Sequence, residues 1–126
     1  MKLCWIAGEF TVCMLPEDAE LDRELDFLFF AKTDQELSLV CRTECVPARC
    51  IRKEPGWKAL RVEGELDFSL VGILAELTAA LAKNKISVFA VSTYRTDYLL
   101  IKGEQVPAAQ QCLLAHGYTF LNQNIP

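Results

Sequence analysis

Three groups of residues in this chain have types and spacings that could do chemistry. Cys112 and His116 stand four positions apart, one helical turn, the spacing of a nucleophile and its base or of two metal ligands. His116 is the sequence's one histidine, no third member accompanies the pair, and Gly117 follows at once. A helix-end imidazolium favoured by the dipole is therefore the stronger reading. Cys41-x3-Cys45-x4-Cys50 departs from the Cys-x2-Cys spacing of zinc ribbons and redox motifs. No glycine-rich phosphate loop follows any strand-like run. No catalysis, metal or cofactor is expected. The third group surrounds Asp97, which comes directly after the polar tip Thr93-Tyr94-Arg95-Thr96 and opens an apolar run. A carboxylate there can pair with an ammonium or guanidinium group through charge-assisted bonds. The alternative is a turn aspartate bonding its own backbone.

These residues need elements to hold them. Trp57–Leu66 alternates apolar and polar residues, as a half-buried strand does. Asp67-Phe68-Ser69 supplies a helix start with Asp67 or Ser69 as N-cap, and apolar residues at 70, 73, 74, 77 and 81 form one helical face. Lys83-Asn84-Lys85 ends the helix, with Asn84 suited to a left-handed cap. Ile86–Ser92 is a strand, Thr93–Thr96 its tip and Asp97–Ile101 the return strand. Glu104–His116 is a second helix with Pro107 in its first turn and Gly117 as the stop, and Tyr118–Leu121 is a last strand. The order is β-α-β-β-α-β, the split βαβ unit with an antiparallel sheet and both helices on one face.

The first half is thinner in helical signal. Residues 3–14 read as a long strand in which Gly8 marks a bulge or bend. The acidic stretch 17–26 reads as a short helical turn with a solvated face. Phe27–Lys32 and Leu37–Cys41 form a hairpin around Thr33-Asp34-Gln35-Glu36. Residues 42–56 carry Pro47, Pro55 and Gly56 and read as a loop with one helical turn between two halves.

Composition sets the outer limits. At 126 residues the chain is one domain by length, or two very small ones sharing a core. Hydrophobic residues make up 52% of it, enough for a packed core. A net charge of −4 argues against nucleic acid, because no basic face is available for phosphates. No run approaches the ~18 apolar residues of a membrane span, and Gly8 and Glu9 interrupt any signal-peptide core. A cytoplasmic location with six reduced cysteines is the expectation.

The run Phe68–Ala75 followed by Ile86–Ile101, with its Ser-Thr-Tyr-x-Thr-Asp core, resembles the ACT domain of the CASTOR type, known from arginine sensors and small bacterial proteins. Gly8–Cys13 and Asp34–Cys41 are similar to the reduced first unit of those bacterial proteins. The resemblance implies an α/β (α+β) protein of two tandem ferredoxin-like units with their sheets side by side, residues 1–56 forming a reduced unit and 57–126 a complete one. It implies a small amino acid as ligand, a homodimer and a regulatory protein partner. Carried over by position, it places Asp97, Thr93 and Tyr94 around the ligand. Ser69, Val71, Gly72 and Ile73 would line the helix start, where free N–H groups favour an α-carboxylate. Ser87 and Val88 would approach from a partnering unit. Ordinary capping, turn and strand packing remain the alternatives at each position. A scaffold that has lost its ligand and binds another protein is the second functional reading.

Overall fold

Strand β1 spans Lys2–Leu15, as long as the opening residues predict. The computed structural model describes residues 1–64 and 72–122. Two units emerge, one of Met1–Ala7 with Lys58 onward, the other of Gly8–Trp57. β1 and β4 (Arg52–Val62) contribute residues to both.

In the Gly8–Trp57 unit, β2 (Phe29–Lys32) and β3 (Leu37–Arg42) form the expected hairpin. The strand order is β2-β3-β1-β4. β3 lies antiparallel to β1 from Leu15↔Leu37 to Phe10↔Arg42. This register puts Cys13 and Leu15 on one face with Leu37, Leu39 and Cys41, where they form a buried cluster. Leu21, Leu28, Cys45 and Cys50 pack against it. Gly8 sits at φ +100°, and a side chain built there would come within 3.0 Å of the Arg42 guanidinium. That guanidinium lies 5.0 Å over the Phe27 ring, so glycine answers both a backbone and a steric demand.

Two expectations fail here. Residues 17–26 form no helix, only turns such as Ala19 N–H to Pro16 O. Acidic side chains repel one another along a helix, and only Ala19 and Leu21 there reach the core. The segment read at 42–56 as a loop with one helical turn has that turn, a short 3-10 turn at Thr43–Cys45, but gives its last residues to β4. Pro55 and Gly56 (φ +89°) lie inside that strand, because pairing with a long neighbour outweighs local breaker signals.

The other unit contains α1 (Ile73–Lys83), β5 (Val88–Ser92), β6 (Asp97–Lys102), α2 (Val106–Ala115) and β7 (Thr119–Phe120). The element order from β4 onward is the predicted β-α-β-β-α-β. The sheet order is β7-β1-β4-β6-β5, and β5 and β6 pair antiparallel from Ser92↔Asp97 to Val88↔Ile101. A lone split βαβ unit would close β7 on β4; here β7 runs parallel to β1 instead, with Leu3↔Phe120. The edge of β4 is already occupied, since Glu63 N–H donates to Lys2 O at 2.9 Å. The Asn122 side chain then fastens the end by bonding both backbone groups of Trp5.

The core of this unit joins Leu77, Ala80 and Leu81 of α1 and Val106, Ala109 and Leu113 of α2 to Leu3, Trp5, Leu60, Val62, Leu99 and Ile101 of the sheet. The predicted face at 73, 74, 77 and 81 is the one buried or packed there. The helix starts later than expected, at Ile73, with Gly72 at φ +87° as N-cap. Asp67 and Ser69, the predicted caps, lie outside the described residues. At the other end Asn84 is the C-cap at φ −99°, and Lys85 takes the left-handed conformation at φ +59°. Asn84 is held back because its amide donates to Ala80 O (3.2 Å) and Cys112 Sγ (3.1 Å). Among the described residues no helix is long and apolar enough to cross a membrane.

Candidate functional site

Asp97 begins β6 opposite Ser92. Side chains alternate along a strand, so Asp97 shares the face of Leu99 and Ile101, the side covered by α1 and α2. It is half-buried there. The amino end of α1 belongs to the same side. Its N-cap is Gly72, which has no side chain of its own to satisfy the first N–H groups of the helix. Ile73, next in line, packs against the core. Ser69 and Val71 lie outside the described residues. Ser87 is exposed just before β5, and Val88 packs onto the helix-side core.

Thr93 and Tyr94 lead to the opposite face. Thr93 closes the tip with its own groups: its N–H and its hydroxyl both donate to Thr96 O at 2.9 Å. The Thr96 hydroxyl, buried, donates to Val62 O at 2.6 Å and ties the tip to β4. Beyond this anchor, Arg61 and Glu63 alternate with buried Leu60 and Val62, so they face away from the helices. Arg61 Nε donates to Glu63 Oε1 at 3.1 Å, and both side chains are largely covered. The hydrogen bond that the Arg61 guanidinium donates to Tyr98, and after it the one to Glu63, holds it even more firmly protonated than usual. Together with Thr93, Tyr94 and Arg95 these groups line an open cleft of about 470 Å3.

The structure therefore brings Thr93 and Tyr94 to Arg61, Glu63 and Arg95, and turns Asp97 to the other side of the sheet. Arg61 and Glu63 were not singled out by sequence reasoning. Their signal was the alternation Leu60-Arg61-Val62-Glu63, charges at the outward positions of a half-buried strand. Thr96→Val keeps the volume and removes the hydroxyl, leaving Val62 O buried without its donor. A loss of about 1–3 kcal/mol is expected in chemical denaturation; a change within error would mean that water replaces the bond.

The remaining chemistry-bearing residues do not converge. His116 Nδ1 lies 2.8 Å from Cys112 O, while Cys112 Sγ donates to Ala80 O at 3.3 Å, so thiol and imidazole each bond backbone rather than one another. The Cys41 thiol is buried and pushed up to about 12, first by burial and then by Cys13 and Cys45. It is no nucleophile at neutral pH. Among the described residues no group of histidine, cysteine, aspartate or glutamate could hold a metal ion.

The other unit has a counterpart of the tip. Thr33 N–H donates to Glu36 O at 2.9 Å, and the Thr33 hydroxyl accepts from the Gln35 and Glu36 N–H groups. The element that follows matches in length, β3 at 37–42 against β6 at 97–102, each leading into a 3-10 turn at 43–45 or 103–105. Val46-Pro47-Ala48 then repeats as Val106-Pro107-Ala108.

Residues 52–115 match the profile of the ACT domain family. Among solved structures, a protein of Agobacterium tumefaciens is similar over 98% of this chain and 93% of its own, at 28% identity and a TM-score of 0.85. The regulatory subunit of aspartate kinase from Thermus thermophilus, in a ligand-free form, has a TM-score of 0.63 at 10% identity, over 91% of this chain and 97% of its own. Aspartate kinase of Clostridium acetobutylicum has a TM-score of 0.64 at 13% identity, over 86% of this chain and 33% of its own. No curated protein is similar enough in sequence to count as a relative.

Proposed function

Because the chain belongs to the ACT domain family, we propose that it is a non-catalytic regulatory module that binds a free amino acid at an interface between ACT units. The likeness to a regulatory subunit of aspartate kinase supports the regulatory half of this reading. The observation that carries the ligand half is Asp97, half-buried on the sheet face that the helices cover, the side to which the glycine-capped α1 also belongs. The helix end suits an α-carboxylate and Asp97 suits an α-ammonium, the two groups every free amino acid has.

In this reading residues 57–126 are a complete ACT domain of the CASTOR type and 1–56 a reduced one, in tandem ferredoxin-like units with sheets side by side. The matching Thr33 and Thr93 tips and the repeated Val-Pro-Ala support the duplication. Ser69, Val71, Gly72 and Ile73 cradle the carboxylate and Ser87 and Val88 are supplied by the partnering unit, while Thr93 and Tyr94 open onto the face opposite Asp97. A cytoplasmic homodimer would provide two equivalent sites. The ligand bridges units, binds the assembled form better than the separated one and so shifts the population. The second reading is a ligand-free scaffold that binds a protein partner.

A thermal-shift screen against the twenty amino acids, with Asp97→Ala in parallel, separates the two. A ligand at about a hundred times its Kd stabilises by ~3 kcal/mol, several degrees for a chain of this size. A shift that disappears in Asp97→Ala is the expected result. No shift with any amino acid, in a protein that unfolds cooperatively, would leave the scaffold reading.

A further inference from the structure

Where the end of α2 meets α1 there is another cleft, of about 320 Å3, whose lining shares no residue with the Thr93 tip. Glu76, Ala79, Ala80 and Lys83 of α1 form one side of it, and His116 and Tyr118 the other. Residues 76, 80 and 83 are a turn apart on a helix and so follow one another along the cleft. The two alanines leave an apolar floor between the charged ends. The helices run in opposite directions here. Cys112 bonds Ala80 O and accepts from Asn84, and further along the chain Tyr118 comes within the field of Glu76. Tyr118 therefore stands at the Glu76 end, with Lys83 at the other.

Tyr118 is 9% exposed, and its ring belongs to the helix-side core. Its backbone N–H donates to Leu113 O at 3.1 Å, while its hydroxyl bonds none of the described residues. Yet among the described residues no fully enclosed side-chain oxygen or nitrogen lacks a partner. The hydroxyl of this otherwise buried residue therefore reaches the surface, and the cleft that Tyr118 lines is there to receive it. Burial, and then the Glu76 carboxylate, push the phenol above its usual range. It stays neutral at physiological pH, with one proton to give and oxygen lone pairs to accept. Glu76 and Lys83 are exposed, and neither forms an ion pair with a described residue. Seven positions apart, they lie about 10 Å from each other along the helix axis, beyond the reach of helical ion pairs.

We propose that this cleft is a further ligand site, for an ω-amino acid: its ammonium at the Glu76 end, its carboxylate at the Lys83 end, and its methylene groups over Ala79 and Ala80. The Tyr118 oxygen accepts from the ammonium, and its proton turns to the Glu76 carboxylate. The separation of the two charged residues sets the ligand class. Groups about 10 Å apart along the axis, each taking up one hydrogen-bond length, fit ligand charges about 5 Å or more apart. An α-amino acid carries its two charges on neighbouring carbons and reaches one end only. A cleft of about 320 Å3 is at the small end for ligands and suits a short aliphatic chain.

The test is calorimetric titration of the full chain, and of Glu76→Gln, Lys83→Gln and Tyr118→Phe, with γ-aminobutyrate and ε-aminocaproate. Caproate, hexylamine and L-alanine serve as comparisons. The proposal expects one of the ω-amino acids to bind at least tenfold more tightly than any of the three. It expects a tenfold or greater loss in both Glu76→Gln and Lys83→Gln, exposed positions whose folding a melting curve checks. Tyr118→Phe removes the hydroxyl alone and is expected to weaken binding about tenfold with an unchanged melting temperature, because that hydroxyl bonds no described residue. Should Tyr118→Phe melt lower, the two exposed positions decide. The proposal is overturned if neither ω-amino acid binds at millimolar concentration, or if caproate or hexylamine binds as well as they do. Binding undiminished in both Glu76→Gln and Lys83→Gln overturns it by placing the ligand elsewhere. L-alanine that binds as tightly, with no loss in Lys83→Gln, overturns it and leaves the Asp97-side reading standing.

Discussion

Trp5→Ala is expected to lower the unfolding free energy by about 3–5 kcal/mol, a large part of the stability of a chain this small. Trp5 is 2% exposed and sits in the helix-side core. Its ring stacks on Phe120 at 6.1 Å between centroids, and its indole N–H donates to Gln110 Oε1 at 2.8 Å. Truncation empties a large volume between the sheet and α2 and strands the Gln110 carbonyl. The measurement is urea unfolding followed by far-UV circular dichroism, since the sequence has one other tryptophan, Trp57, to complicate fluorescence. Trp5→Phe separates the two contributions. It keeps much of the packing and loses the hydrogen bond, so it should cost only about 1–2 kcal/mol. Equal losses in the two variants would mean that the indole N–H, and not the ring volume, holds α2 in place.

The second large effect is alkaline destabilisation through the thiol cluster. Cys41 is 1% exposed, and its thiol is pushed up to about 12 from an ordinary value of 9.0 by burial, then by Cys13 and Cys45. Cys13 is raised for the same first reason, burial, and then by Cys50. In the unfolded chain these thiols lose their protons near pH 9, while in the folded chain they keep them. The stabilisation is therefore complete below pH 9 and is lost as pH rises from 9 towards 12. The slope is about 1.4 kcal/mol per pH unit for each such thiol, reaching about 4 kcal/mol for Cys41 at the upper end. Urea midpoints between pH 7.5 and 11 should fall steeply in the parent and distinctly less steeply in Cys41→Ala. The comparison of slopes removes the tyrosines and lysines that titrate in the same range. Parallel slopes would show that Cys41 ionises as freely in the folded protein as in the unfolded chain.

Much of the fold could be read locally. The helical face at 73, 74, 77 and 81, Pro107 at the start of α2 and Gly117 at its end are short-range signals, and short-range physics decided them. The hairpins were legible because each tip begins with a threonine that can close the turn by itself. The misreadings have non-local causes. Pro55-Gly56 looked like a loop, and the pairing of β4 with β1 kept it within the strand, Gly56 taking the positive φ itself. Asn84 looked like a left-handed cap, and a bond to Cys112 on α2 held it out of that conformation.

The candidate site divides along the same line. Asp97, Thr93 and Tyr94 drew attention because a polar tip between two apolar strands is visible in one dimension. Their sidedness was not. Alternation alone says that Asp97 and Tyr98 point apart, but it does not say which of them meets the helices. That depends on α1 and α2 burying Leu99 and Ile101. Arg61 and Glu63 reach the tip only because β4 and β6 are neighbours in the sheet and Thr96 bonds across to Val62. By itself the sequence determined the kinds and order of the elements, since propensity, capping and hydrophobic period act within a few residues. Only the tertiary structure decided that β7 lies against β1, that four cysteines gather at one core, and that a tip threonine faces an arginine more than thirty positions away. Those outcomes rest on strand partners and shared burial between distant segments, which no local pattern encodes.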